Sequence, residues 1–346
     1  MTIRTRLLLC LGALTVGALS LTACSTTSQT NTTAEDSEET SLVVYSGRDE
    51  ELVAPLIELF EDSSGIDVEV RYAGTTELAA QLLEEGDRTP AQVFLSQDAG
   101  ALGALTEADL FATLDPAVTE RVAAEYTSTD GSWVGLTGRA RVLAYDSEKY
   151  TADQIPGDVF ELLEPEWEGK VAIAPSNASF QSFVTALRVT EGEERAAEWL
   201  NGMVANDAQI FAKNGEILDA VNTGAVDLGL INHYYWARSE QDPATLRAQL
   251  AFGDSGSVSA LVNVTGAGIL KGASDSTAAA QFVEFLVSDE AQTYFQEETF
   301  EYPLVAGLAG PEGVPDLTEL GGPDIDLSRL SSLDETVTMI TAAGLL

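Results

Sequence analysis

Between Leu42 and Asp98 short apolar runs alternate with amphipathic stretches, and this alternation constrains the fold more than any other feature. Leu42-Val43-Val44-Tyr45 reads as a short buried strand, and Ser46-Gly47-Arg48-Asp49 turns the chain. A helix follows with Leu52, Leu56 and Phe60 at i, i+4 and i+8 and with Val53 and Ile57 beside them. Pro55 is tolerable only near a first turn, so the regular helix is expected to begin close to Leu52, and Gly65 ends it. Val68 and Val70 alternate with charges in a second strand. Thr76 to Glu85 is a second helix stopped by Gly86, and Gln92-Val93-Phe94-Leu95 is a third strand ending at Ser96-Gln97-Asp98. Strand, helix, strand, helix, strand implies parallel pairing in an α/β sheet. Open α/β sheets bind ligands beyond the carboxyl ends of their strands, where Asp49 and Gln97 fall.

The pattern continues past this unit. Trp133 to Thr137 and Val142 to Tyr145 read as two strands separated by Gly138-Arg139-Ala140-Arg141, and Lys170 to Ile173 as another. Pro175-Ser176-Asn177-Ala178-Ser179 opens a helix from about Phe180 to Thr190. Small polar residues at a helix start either cap it or present free N–H groups to an anion. Further helices are expected over Glu193–Val204, after Lys213-Asn214-Gly215, and over Thr277–Leu286, Asp289–Gln296 and Thr336–Ala343. Ala260 to Val264 reads as a strand returning between domains, and Glu301 to Leu304 as extended chain.

The chain has 346 residues, enough for two domains, and 45% hydrophobic residues, enough for their cores. A net charge of −39 argues against nucleic-acid binding and against electrostatic docking on anionic lipid. The single histidine, His233, removes most His-based catalysis and His-cluster metal sites. Cys10 and Cys24 both lie at the start, so no internal disulfide framework exists.

Arg4, Arg6 and the apolar run Leu7 to Leu21 read as an export signal, too short and too near the terminus for a membrane span. Leu21-Thr22-Ala23-Cys24 resembles the bacterial lipobox, which would make Cys24 the lipidated first residue of the mature chain. Residues 24–40, rich in Ser, Thr and Glu, read as a flexible tether.

The chemistry concentrates in Asn232-His233-Tyr234-Tyr235-Trp236, after the apolar run Ala225 to Ile231. Two adjacent tyrosines within a strand would point to opposite faces. At a turn or a helix start both phenol oxygens can converge on one point. Phenolate is a hard oxygen donor suited to a hard cation, and Fe(III) can displace the phenol proton. The other reading of the dipeptide is aromatic packing beside Trp236.

These features together resemble the solute-binding proteins of bacterial ATP-driven importers, and among them the ferric-iron-binding group called bacterial transferrins. The resemblance runs from about Leu42 to the C-terminus. It rests on Val44-Tyr45-Ser46-Gly47, Gly86-Asp87-Arg88-Thr89-Pro90-Ala91, Gly138-Arg139-Ala140-Arg141-Val142, Ala212-Lys213-Asn214, Asn232-His233-Tyr234-Tyr235-Trp236 and Glu301-Tyr302-Pro303-Leu304, in order and at suitable spacing. It implies a two-lobed type II periplasmic-binding-protein fold, with a ligand cleft between lobes and two crossing hinge strands. The lobes would be residues 41–137 with 265–315 and residues 138–264 with 316–346, after a signal of residues 1–23.

The resemblance implies Fe(III) ligation by Tyr234 and Tyr235. Where well-known members place a histidine and a glutamate, this chain has Asp49 and Gln97, with Asp98 adjacent. Aspartate keeps a hard oxygen; glutamine is a poorer ligand for Fe(III). His233 does not match the family's histidine ligand. A synergistic anion, phosphate or carbonate, would be held by Asn177, Ala178, Ser179, Asn214 and Asn232 with Arg139 nearby. Tyr145 matches a tyrosine that ligates iron in members lacking the anion, or else simply ends a strand.

The implied role is a non-enzymatic, monomeric lipoprotein on the outer face of the cytoplasmic membrane. It would capture Fe(III), free or as a small chelate, and pass it to an ABC permease. Two other readings remain. The same fold could bind phosphate, phosphonate or a carboxylate through Asn177, Ser179 and Arg139. A secreted hydrolase using Asp49 and Asp98 is the last, and no nucleophile pattern supports it.

Overall fold

The computed structural model describes residues 40–346. The signal segment, Cys24 and the tether up to residue 39 lie outside the described residues. The strands are β1 (Ser41–Ser46), β2 (Asp67–Tyr72), β3 (Val93–Ser96), β4 (Val134–Asp146), β5 (Val171–Ile173), β6 (Gln209–Ile210), β7 (Leu228–Asn232), β8 (Ala248–Phe252), β9 (Val262–Ile269) and β10 (Tyr302–Pro303). The helices are α1 (Glu50–Ser64), α2 (Thr75–Glu85), α3 (Ala99–Glu107), α4 (Pro116–Thr119), α5 (Ala178–Glu191), α6 (Glu193–Ala205), α7 (Asn214–Asn222), α8 (His233–Ala237), α9 (Thr277–Leu286), α10 (Asp289–Tyr294) and α11 (Leu333–Ala342).

The β1-α1-β2-α2-β3 unit forms as its patterning predicts. β1 pairs in parallel with β2 on one side and β3 on the other. α1 buries Val53, Leu56, Ile57 and Phe60 on one stripe. Burying each such side chain contributes about 1.5–3 kcal/mol. Phe60 meets Phe282 of α9 edge-on at 5.0 Å between ring centres. α1 starts at Glu50 rather than near Leu52, so Pro55 sits inside it and not in its first turn. Glu50 and Glu51 suit the positive end of the helix dipole and favour the early start. The cost is one missing donor, since Pro55 has no N–H for the Glu51 carbonyl. Gly65 closes the helix in the left-handed region, at φ 73°.

The expected break at Gly138 to Arg141 is absent. One 13-residue strand, β4, runs from Val134 to Asp146, and every residue of it is buried. Its first half pairs antiparallel with β9 and β10, and its second half with β7 and β8. β4 is thus shared by two sheet regions. One continues through β9 to β3, β1 and β2; the other continues through β7 to β5 and β6. The strand persists through Gly138-Arg139-Ala140-Arg141 because both arginines find buried partners on one face, while Ala140, Val142 and Ala144 pack on the other. The fold is therefore a two-lobed α/β architecture in which β4 crosses from one sheet region to the other.

The C-terminal segment touches both regions. Its turn at Leu327–Ser331 packs on α3, and α11 packs on α5. The α3 contact is backbone to backbone: a Cβ built on Gly103 would lie 2.1 Å from the Ser328 carbonyl oxygen. Arg188 of α5 donates to the Ser332 carbonyl and to Thr336 Oγ1, both at 2.7 Å. Among the described residues no helix is long and apolar enough to cross a membrane.

Candidate functional site

The tyrosine pair opens a helix. β7 ends at Asn232, and the one-turn helix α8 begins at His233. This turn places Tyr234 and Tyr235 on the same side, with their rings stacked at 4.4 Å and 28°. Two strand residues could not be stacked in this way. Tyr234 is buried, Tyr235 half-buried. The Arg238 guanidinium lies over both rings, at 5.3 and 5.4 Å from their centres. Among the described residues, no hydrogen bond uses either phenol oxygen. Burial and the neighbouring Tyr235 push the Tyr234 phenol far up, while Arg139 and Arg48 pull it down. Deprotonating it therefore requires a compensating cation.

β4 supplies two buried arginines to the site. Arg139 and Arg141 are two residues apart, so they share a face, and both are 2% exposed. Arg141 donates from Nη1 to Ser179 Oγ and to Asn232 Oδ1, each at 3.2 Å, and from Nη2 to the Leu230 carbonyl. Arg139 reaches the Gln97 carbonyl at the end of β3 and the Val264 carbonyl on β9. Among the described residues neither has an ion-pair partner. Burial drives the Arg141 guanidinium down to about 9, against the pull of Tyr235 and Tyr234. Arg139 lies in the field of Glu301 and Asp98, whereas Arg141 has only the two phenols to offset it; a buried cation so placed is costly and favours negative charge nearby.

Several residues proposed for an anion are brought together. Asn177 caps α5, with Oδ1 accepting from Ser179 N at 2.9 Å and from Ser179 Oγ at 2.7 Å. Asn214 Nδ2 donates to Ser179 Oγ at 2.9 Å and to Asn177 Oδ1 at 3.3 Å. Ala178 is the first residue of α5. Ser179, Asn232, Arg139 and Arg141 line one small cavity of about 10 Å³ with Leu261 and Asn263. The buried Nε atoms of Arg139 and Arg141 have no hydrogen-bond partner, a donor pair that fits an anion. The unpartnered Asn214 Oδ1 is an acceptor and does not.

The remaining candidates are placed differently. Asp49 occupies the N-cap position of α1, is exposed, and makes no side-chain cap. Gln97 is half-buried, and it is its backbone carbonyl that meets Arg139. Asp98 is occupied in capping α3, its Oδ1 accepting from Gly100 N at 3.0 Å and Ala101 N at 3.4 Å. Tyr145 lies in the core, four residues along β4 from Arg141 and roughly 13 Å away by strand rise. Among the described residues no group of three or more His, Cys, Asp or Glu could hold a metal ion.

Two partners were not assigned from sequence. Arg141 is one; the alternation of Arg139 and Arg141 on one strand face was the available signal. Glu301 is the other. It is fully buried, pairs with Arg48 at 2.9 Å, and accepts from Thr137 Oγ1 at 2.7 Å. Burial opposes its charge, but Arg48, Arg139 and Thr137 hold its carboxyl below the usual range. A π-helical turn at Phe295–Thr299 and Phe300 at φ 56° deliver it. Such a φ is uncommon for an aromatic residue, and no short-range pattern announces it.

The family model for bacterial extracellular solute-binding proteins matches residues 88–319. The chain belongs to the bacterial extracellular solute-binding protein family. Within that family it is 32% identical over 315 residues to an Fe(3+)-binding periplasmic protein of Serratia marcescens, covering 90% of this chain and 92% of that one. It is 31% identical over 339 residues to iron uptake protein A1 of Synechocystis sp., covering 95% and 94%. Among solved solute-binding structures, iron-bound HitA from Pseudomonas aeruginosa superposes with a TM-score of 0.81 at 32% identity, covering 88% of this chain and 99% of that one. The Serratia relative is named as a periplasmic binding protein, and the architecture of HitA agrees with the two-lobed α/β fold seen here.

Proposed function

We propose that this solute-binding protein captures Fe(III) through the Tyr234 and Tyr235 phenolates and delivers it to a membrane permease of an ABC importer. The observation that carries the reading is the stacked phenol pair at the α8 start, beside two buried arginines without carboxylate partners. The likeness to relatives named for ferric iron supports it. The chemistry follows from charge. A trivalent cation displaces both phenol protons, and the phenolates then lie beside Arg139 and Arg141, whose charge they offset. Asp49 adds a hard carboxylate oxygen, and Gln97 contributes at most a neutral amide.

Four protein oxygens at best leave the iron shell open, and an anion completes it. Phosphate or carbonate would sit at the start of α5, held by Asn177, Ala178 and Ser179, with Asn214, Asn232 and Arg141 behind them. The lobes close about β4 and β9 and exclude water, which strengthens each charge interaction. Export and lipid anchoring at Cys24 would keep the protein beside its permease.

The test is a visible absorption titration of the purified protein with ferric citrate, with and without phosphate. A phenolate-to-iron charge-transfer band saturating at one equivalent is expected, stronger with phosphate. No band, with tight binding of an anion instead, would move the assignment to an anion carrier.

A further inference from the structure

His233 is the chain's single histidine, and its ring is fully buried rather than directed at solvent. It follows the last residue of β7 directly and precedes Tyr234. Its Nδ1 accepts the backbone N–H of Ala140 at 3.1 Å. That amide lies at a special point of β4. Pairing with β10 ends at Gly138, and pairing with β7 begins at Arg141. Ala140 falls in the gap between these two ladders, so a side chain supplies the acceptor that neither strand provides. The hydrogen bond also sets the tautomer, with Nδ1 bare and the proton on Nε2.

The same ring touches two further parts of the site. It packs on Tyr302, the first residue of β10, at 4.6 Å between ring centres and 33°. It meets Tyr234 edge-on at 6.1 Å and 85°. One imidazole therefore joins the crossing strand, the short strand that follows Glu301, and the first phenol of the pair. Its lone pair is committed to Ala140, and it does not face the α5 anion cluster.

Resting on the tyrosine reading above, we propose that His233 is a positioning residue. By accepting the Ala140 amide it ties the first residue of α8 to β4 at the point where the strand crosses between sheets, and so fixes the direction in which the next residue, Tyr234, presents its phenol oxygen to iron. Residues that orient ligands in this way typically govern metal affinity by 10–100-fold.

Two variants separate positioning from mere filling. His233→Leu keeps bulk and removes the acceptor. His233→Asn keeps an acceptor oxygen near the Nδ1 position and removes the ring. Each is titrated with ferric citrate, following the charge-transfer band, with a thermal melt recorded alongside. His233→Leu is expected to weaken iron binding by about 10–100-fold and to shift the band. His233→Asn is expected to restore most of the affinity and the wild-type band position. If His233→Leu does not fold, the band of His233→Asn decides alone: wild-type position supports positioning, and a shifted band overturns it. A wild-type band kept unchanged by His233→Leu, or shifted equally in both variants, overturns this proposal and leaves the tyrosine reading standing. A wild-type protein without any band overturns the tyrosine reading, and this proposal with it.

Discussion

Arg48 Nη2 donates to Glu301 Oε1 at 2.9 Å, with both side chains almost wholly buried. The two residues are 253 positions apart in sequence. Arg48 follows β1, and Glu301 precedes β10 and also accepts from Thr137 on β4. The pair therefore ties the carboxyl end of β1 to the crossing strand. Glu301→Gln leaves the Arg48 charge buried without its counter-ion. The expected loss is about 3–5 kcal/mol in denaturant unfolding. A loss below about 1 kcal/mol, the range of an exposed pair, would mean that the bridge is hydrated in solution.

Tyr234→Phe and Tyr235→Phe each remove one oxygen and leave the stacked rings in place. Each is expected to abolish tight iron binding and most of the charge-transfer band, with little change in thermal stability. Wild-type iron affinity in either variant would contradict phenolate ligation at that position.

Gly103 of α3 lies against the backbone of the Leu327–Ser331 turn, with no room for a Cβ beside the Ser328 carbonyl. Gly103→Ala is expected to cost about 1–3 kcal/mol by overpacking. Gly215, in α7, has nothing within 4 Å of a built Cβ. Gly215→Ala is expected to stabilise by about 0.4–1 kcal/mol. Equal effects of the two in a thermal melt would contradict the close α3 contact.

His233 gives a pH dependence of known sign. Burial lowers its folded-state value to about 4, from 6.5. Above pH 6.5 both folded and unfolded states are neutral, and stability is complete. As the pH falls from 6.5 towards 4 the unfolded chain takes up its proton first, and stability declines by about 3 kcal/mol. Unfolding measured at several pH values across this interval should show a steeper decline for wild type than for His233→Asn. Parallel curves would place the imidazole in contact with water.

The strands and helices around the site were legible because they depend on local patterning. The stripe Val53, Leu56, Ile57 and Phe60 announces α1, and the apolar run before Asn232 announces β7. The adjacency of Tyr234 and Tyr235 was enough to require a turn if both phenols were to meet one ion. Pro55 misled the estimate of where α1 starts, because packing of the buried stripe overrides the missing hydrogen bond of one proline. Gly138 to Arg141 looked like a break because glycine and charge are poor strand formers when exposed. Inside the protein those arginines are buried and hydrogen-bonded, and the strand runs on.

Sequence alone determined the α/β class, the burial stripes, and the adjacency of two phenols just past one strand. Each follows from the spacing of neighbouring residues along the chain. Tertiary structure decided that Arg141 joins Ser179 and Asn232, that Glu301 answers Arg48, and that Asp98 is a cap. It also decided that His233 closes the gap at Ala140. These contacts join residues that are mostly far apart in the chain. They depend on which strands pair and in what register, and a buried charge or amide takes the partner that this pairing brings within reach.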